Sequence, residues 1–510
     1  MAEIKRGSKK NSKRTCGVLL PVFSLPSKYG IGTFSKEAYK FVDFLEKAGQ
    51  TYWQILPLGP TSYGDSPYQS FSTFAGNPYF IDIEVLIADG LLTAEDADKC
   101  NFGENEEKVD YERLYRERFA LLMKAYEGID NSPKTKDIRQ AFEAFKKASE
   151  NDWLIDYALF MVLKDENGGR AWSTWEDDIR FRKPVAINNA LIKYKKEVDF
   201  YCFLQFLFSE QWKKLKKYAN EKGILIVGDI PIYVAFDSAD TWASPELFLL
   251  DKENMPIDVA GCPPDAFSAT GQLWGNPLYR WDYHKKTGYE WWMKRIAHCY
   301  ELYDVVRIDH FRGFDEYYAI PYGDPTAEFG EWRKGPGYDL FDTMKKKLGS
   351  KRVIAEDLGY LTDSVRKLVK KTGYPGMKIL QFAFDAREES DYLPHNYDSN
   401  CVVYTGTHDN DTTRGWYEAI SRTDKSFAKR YLGVRYVKDI VPAMIRTAHA
   451  SVSDTVIIPM QDYLELDKTA RINIPSTLGG NWEWRMKKDA LTDELCKKMY
   501  DYAEIYGRLR

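Results

Sequence analysis

Eight short apolar runs, near residues 18, 53, 225, 305, 353, 379, 403 and 456, constrain this chain more than any other feature, because helical patterns fall between most of them. Runs of that length that are apolar on both faces read as parallel strands covered by helices. Eight such strands, each followed by a helix, make a (β/α)8 barrel. The chain opens in that style, with GVLLPVF, a helix over residues 35–48, and TYWQILPL. Ser35 is placed to cap this helix, and Tyr39, Phe41, Val42, Phe44 and Leu45 form its apolar side. At 510 residues the chain is long for one compact unit, but a barrel with insertions reaches that size.

Several of these runs end in charge. In YDVVRIDHFRGF, residues 303–314, Val305, Arg307 and Asp309 alternate with Val306 and Ile308, so Arg307 and Asp309 project from one face of a strand. The pattern recurs in GILIVGDIPIYV with Asp229, in KRVIAEDLG with Glu356 and in CVVYTGTHDNDT with His408 and Asp409. The C-terminal ends of barrel strands are where such enzymes assemble their sites. If the strands close in chain order, those of Asp309 and Glu356 are neighbours about 4.8 Å apart, which brings two carboxyls toward the roughly 5–5.5 Å of a retaining glycosidase. Arg307 would favour a charged Asp309, and Glu356 would titrate higher. Taken singly, each group has a plainer reading: Arg307 with Asp309 as a structural ion pair, His408 as a hydrogen-bonded core residue.

Residues 86–196 are charged and helix-prone and are expected to form a mainly helical insertion. Two other segments are turn-rich and aromatic, residues 59–80 and the stretch around PPDAFSATGQLWGNPLY. The second is read as an irregular, loop-rich subdomain over residues 230–300 that covers the site. The basic residues 1–15 lack the apolar core of a secretory signal and are read as a flexible arm. A net charge of -4 gives no general field for nucleic acid, and no run is apolar enough to span a membrane. Seven scattered cysteines with no CxxC pair fit reduced thiols and a cytoplasmic location. The six histidines form no metal-like cluster, so neither metal nor cofactor is expected.

RIDHFRG, AEDLG and THDND resemble the catalytic regions of the α-amylase clan. WQILPLGPTSYGDSPYQSFSTFAGNPY, GDIPIYV and PPDAFSATGQLWGNPLY narrow the resemblance to 4-α-glucanotransferases of the amylomaltase, or disproportionating enzyme, family, over residues 17–485. No β-rich tail follows the final helix, MKKDALTDELCKKMYDYAEIYG, so a barrel without a C-terminal β-sandwich is expected. The resemblance implies Asp309 as nucleophile, Glu356 as general acid and base, and Asp409 as transition-state stabiliser. It further implies that Ser66, Tyr68, Asp229, Arg307 and His408 bind the donor sugar. Asp265 and Trp274 would belong to the covering loop, and Asn473, in RINIPSTLGGNWEWR, would line the site. Unlike amylases, the chain has no histidine in the segment after Asp229. The implied substrates are maltooligosaccharides, with glucose as an acceptor and glycogen or starch as larger partners.

Transfer between sugars must outcompete water, which requires a bound, oriented acceptor and a covered site. The aromatic loops around Tyr63, Tyr68 and Trp274 are the candidates for that work. The competing readings are a hydrolase on the same barrel and a non-catalytic glucan-binding protein.

Overall fold

The computed structural model describes residues 14–62, 64–130, 135–264, 268–359 and 361–510. Twelve strands lie among them: β1 Thr15–Leu19, β2 Tyr52–Gln54, β3 Leu225–Pro231, β4 Asp258–Cys262, β5 Gln272–Pro277, β6 Val305–Asp309, β7 Glu316–Pro321, β8 Glu331–Lys334, β9 Val353–Ala355, β10 Gly376–Ile379, β11 Cys401–Tyr404 and β12 Thr455–Pro459. Eight of them, in the order β10-β11-β12-β1-β2-β3-β6-β9, form one parallel sheet that wraps round in chain order. The seam is bridged where Ala355 N–H donates to the Pro375 carbonyl at 2.9 Å and Met377 N–H to Asp357 Oδ1 at 2.8 Å. The expected eight-strand barrel is therefore present, each expected run supplying one strand.

The barrel has two apolar layers. Val306, Ile308, Val403 and Ile458 face outward into the main core shared with the helices. Leu19, Tyr52, Val227, Val305, Ile354, Met377, Val402, Tyr404 and Ile457 fill the interior as a separate cluster. Interior packing of this kind makes the barrel a solid support rather than a pore. The helix Lys36–Lys47 shows how the sequence builds the outer layer: the Ser35 hydroxyl caps it by accepting from Glu37 N–H, and Phe41, Val42, Phe44 and Leu45 are buried in the main core. Gly228 is required for a steric reason, since a Cβ there would lie 2.1 Å from the Tyr303 ring.

Between β2 and β3 the regular elements are helical, ending in the long helix Lys195–Glu221. The segment read as irregular, residues 230–300, is not irregular throughout. Its strands β4 and β5 pair antiparallel with each other, and β4 pairs with β7, which pairs with β8, giving a second sheet in the order β5-β4-β7-β8. The partners β7 and β8 lie on the far side of β6 in sequence, and β4 is interrupted by a register shift between Val259 and Gly261. Neither feature leaves a local alternation to read.

The arm also ends earlier than expected. Arg14 donates to the carbonyls of His449 and Ser451, and Thr15 begins β1. Residues 1–13 lie outside the described part. No disulfide joins the described cysteines, and no described helix is long and apolar enough to cross a membrane.

Candidate active site

The C-terminal ends of β3, β6, β9 and β11 carry the expected charged groups, and the ladder sets their spacing. In the β3–β6 register Asp229 stands opposite Arg307 and Pro231 opposite Asp309. The β6–β9 pairing continues one residue past β9: Glu356 N–H donates to the Ile308 carbonyl at 3.1 Å, and Phe311 N–H to the Glu356 carbonyl at 3.0 Å. Glu356 thus sits beside Asp309 on the neighbouring strand. Asp409 lies beyond β11, two strands further round.

Arg307 is the hinge of the charge arrangement. It is buried, and its NH1 donates to both Asp229 oxygens at 2.7 and 2.8 Å while NH2 reaches Asp309 Oδ1 at 2.9 Å. Tyr68 closes the far side by donating its hydroxyl to Asp229 Oδ2 at 2.8 Å. Asp229 is consequently sealed, with no exposed surface, whereas the Asp309 side chain keeps 31% of its own. A planar guanidinium suits this double task. Burial pushes the Asp309 carboxyl above its ordinary range, and Arg307 opposes that rise. Burial, then the charge of Asp309, pushes Glu356 higher, to about 7, although its two oxygens accept from the Leu358 and His310 amides at 2.9 and 2.7 Å.

The third acid is held differently. Asp409 faces His408 Nε2 at 3.3 Å and accepts from Asn473 Nδ2 at 2.7 Å, while Arg471 donates to its main-chain carbonyl at 2.9 Å. Burial alone would raise Asp409, but the His408 charge and the Asn473 amide overrule it and hold the carboxyl well below the carboxylate range. Burial likewise disfavours an imidazolium at His408, yet Asp409 wins and raises its pKa. His408 stacks on the Tyr68 ring, 5.1 Å between centroids at 14°, and Trp482 flanks both rings at 5.9 and 6.0 Å.

The structure therefore brings together Asp309, Glu356, Asp409, Asp229, Arg307, His408, Tyr68 and Asn473. Ser66 joins them through the loop: its hydroxyl accepts from Tyr68 N–H at 3.3 Å and so shapes the turn that presents the ring. Trp274, on β5, reaches the site by an edge contact with His310, 4.8 Å between centroids. Tyr63 and Asp265 lie outside the described residues. Trp482, Arg471 and His310 join the site without a local sequence signal of their own. Trp482 and Arg471 lie in the same short segment as Asn473, and a left-handed turn at Trp482, φ +63°, swings the indole toward Tyr68. Among the described residues no cluster of three or more His, Cys, Asp or Glu side chains could hold a metal ion.

A family profile described as 4-alpha-glucanotransferase matches residues 20–492, nearly the whole chain. The chain belongs to this family. A 4-alpha-glucanotransferase of Clostridium butyricum is 52% identical over 491 residues, covering 96% of this chain and 99% of the relative. That of Thermus thermophilus is 46% identical, covering 97% and 99%. Among solved structures, the amylomaltase from Streptococcus agalactiae in complex with acarbose superposes with a TM-score of 0.94 at 43% identity, covering 98% of this chain and all of that one. The amylomaltase from Corynebacterium glutamicum, at 17% identity and a TM-score of 0.76, shares the fold. As a family member the protein is a 4-alpha-glucanotransferase, an enzyme of α-1,4-glucan metabolism.

Proposed function

We propose that the protein transfers a segment of an α-1,4-glucan to the 4-hydroxyl of a second glucan or of glucose by retaining double displacement through an ester on Asp309. The observation that carries this reading is the placement of Asp309 and Glu356 side by side on neighbouring strand ends, one bound to Arg307 and the other raised to about 7. In the first step an Asp309 oxygen attacks the anomeric carbon and the glycosidic C–O bond breaks. Glu356 gives its proton to the departing 4-oxygen. In the second step Glu356 takes the proton of the acceptor's 4-hydroxyl, whose oxygen displaces Asp309 and restores the α configuration.

Positive charge develops at the anomeric centre in the transition state of each step, and Asp409, fixed by His408 and Asn473, supplies a carboxylate to stabilise it. Tyr68 presents a flat ring to the sugar at the floor, above the sealed Asp229, and Trp274 covers the site from β5. Maltooligosaccharides are the natural class of substrate for this arrangement, with glycogen or starch as larger donors. Asp309, Glu356 and Asp409 act on the reacting atoms. Arg307 and Asn473 hold those acids, and Ser66, Tyr68, Asp229, His408 and Trp274 shape the sugar site, with Tyr63 and Asp265 assigned to the same cleft from sequence.

Incubation of the purified protein with maltotriose alone, read by mass spectrometry, tests the reading. The expected products are glucose and a ladder of longer maltodextrins, without a net gain of reducing ends. A reducing end gained for every bond broken would replace transfer by hydrolysis. Binding without turnover that is unaffected by Asp309→Asn would leave only a glucan-binding protein.

A further inference from the structure

His310 follows Asp309 at the point where β6 gives way to the short 3-10 turn Phe311–Phe314. Its backbone is left-handed, φ +51° and ψ +50°, a conformation that a residue with a β-carbon adopts at a cost and that persists where surrounding structure imposes it. The conformation has a visible result. His310 N–H donates to Glu356 Oε2 at 2.7 Å, and the next amide, Phe311 N–H, donates to the Glu356 carbonyl at 3.0 Å. Two successive amides of one turn therefore grip the side chain and the main chain of the same acid.

The imidazole makes a separate connection. It meets the Trp274 indole edge-on, 4.8 Å between centroids at 86°, and lies 6.4 Å from the Tyr233 ring. Its Nε2 is buried and has no hydrogen-bond partner among the described residues. Burial and then the Arg312 charge lower its pKa to about 3, so the ring stays neutral wherever a carboxylate nucleophile operates. Trp274 stands on β5 in the second sheet, whose other strands are β4, β7 and β8. One residue thus touches both the covering sheet and the Glu356 carboxyl.

We propose that His310 is a positioning residue that joins the covering sheet to the acid: its ring seats Trp274, and its left-handed amide holds the Glu356 carboxyl. Seating Trp274 braces the ring and keeps the turn left-handed; unseating it lets the turn relax and takes the amide away from Oε2. Cover and acid are then engaged together, so that proton transfer is set up when the site is closed. The inference rests on Glu356 being the acid and base.

An amide donating to a carboxylate favours its charged form, so losing it moves the titration of Glu356 to higher pH. The other groups that act on this carboxyl are Asp309 and Arg307 from β6, the Leu358 amide, and Tyr392 from the segment after β10. All are retained in the following variants. His310→Gly and His310→Asn remove the imidazole and tolerate a left-handed backbone, whereas His310→Ala and His310→Val do not tolerate it well.

The measurement is the pH profile of kcat/KM for maltotriose disproportionation. The Ala and Val variants are expected to move the basic limb up by about one pH unit and to lower kcat about 10-fold, while Gly and Asn keep the limb near the parent position. Trp274→Ala should move the limb in the same direction by a smaller step. Superimposable basic limbs for Ala, Gly and parent, or a Trp274→Ala limb at the parent position, would overturn the coupling; the Ala and Trp274 arms decide it if the Val variant does not fold. A basic limb that survives in Glu356→Gln would instead remove the acid assignment beneath it.

Discussion

Arg307 offers the most direct test of how this site keeps a carboxylate charged in a partly buried position. The perturbation is Arg307→Gln, a side chain of similar length without the charge. At 4 Å and an effective dielectric near 20, one opposite charge is worth about 4 kcal/mol, or about three pKa units. Asp309 keeps about a third of its side-chain surface open, which screens part of that attraction. The expected displacement is therefore about one to two pH units. Because a nucleophile must be ionised, the acidic limb of kcat/KM moves upward, and the variant loses about 10- to 100-fold on the acidic side of the parent profile.

Folding is the obvious confounder, and the structure supplies its own control. Arg307→Gln leaves Asp229 as a sealed carboxylate without its cation, which costs about 3–5 kcal/mol. Pairing it with Asp229→Asn removes both charges, and a buried pair deleted whole is much better tolerated than one broken. The double variant should regain most of the stability lost by the single one, while its acidic limb stays displaced by a smaller step than in Arg307→Gln, because Asp309 lacks its cation but is also relieved of the Asp229 charge that raises it. A folded double variant whose acidic limb coincides with that of the parent would refute the reasoning. Arg307→Lys should be intermediate, since an ammonium cannot bridge Asp229 and Asp309 with one planar fork.

Glu356→Gln should abolish the basic limb near pH 7 and lower kcat on maltotriose about 10²- to 10⁴-fold. With an α-glucosyl fluoride donor, whose leaving group needs no proton, it should accumulate a glucosyl ester detectable by peptide mass spectrometry on Asp309. Asp409→Asn should lower the His408 pKa, read from the ring protons by NMR, because Asp409 is what raises it. The same linkage fixes a stability window. The raised His408 contributes fully below its unfolded value of about 6.5 and is lost as pH rises through its folded value, and the depressed Asp409 contributes above about 3.9 and is lost as pH falls through its own. Parent and Asp409→Asn should differ most in denaturation midpoint between those two values. Gly228→Ala should destabilise by about 1–3 kcal/mol through overpacking against Tyr303, seen as a lower melting temperature without a change in the pH profile.

What could be read from the sequence follows from which signals are local. β3, β6 and β12 announce themselves because an apolar run must be buried on both faces, and a charge at the end of such a run is conspicuous. Asp229, Arg307, Asp309, Glu356 and Asp409 are legible for that reason, as is their order, since parallel strands joined by helices close in sequence. The second sheet was not legible. β4 finds β7 across the intervening β6, and β8 is mostly exposed, so no apolar alternation marks it. The sealing of Asp229 was also hidden, because it depends on a tyrosine contributed 161 positions earlier in the chain.

The division between open and sealed groups explains how one barrel end supports charged chemistry. Asp309 and Asp409 retain 31% and 42% of their side-chain surface, whereas Arg307, Asp229 and His408 keep 3%, 0% and 2%. The groups that set the electrostatics lie in a low-dielectric layer, where each contact is strong, and the two acids proposed to act on the sugar lie nearer solvent. Solvent therefore reaches Asp309 and Asp409 without reaching the buried groups that tune them. Sealing of that kind cannot by itself favour sugar over water at the anomeric carbon. The preference has to come from what lies above the strands, where Trp274 on β5 meets the ring of His310, whose amide donates to Glu356.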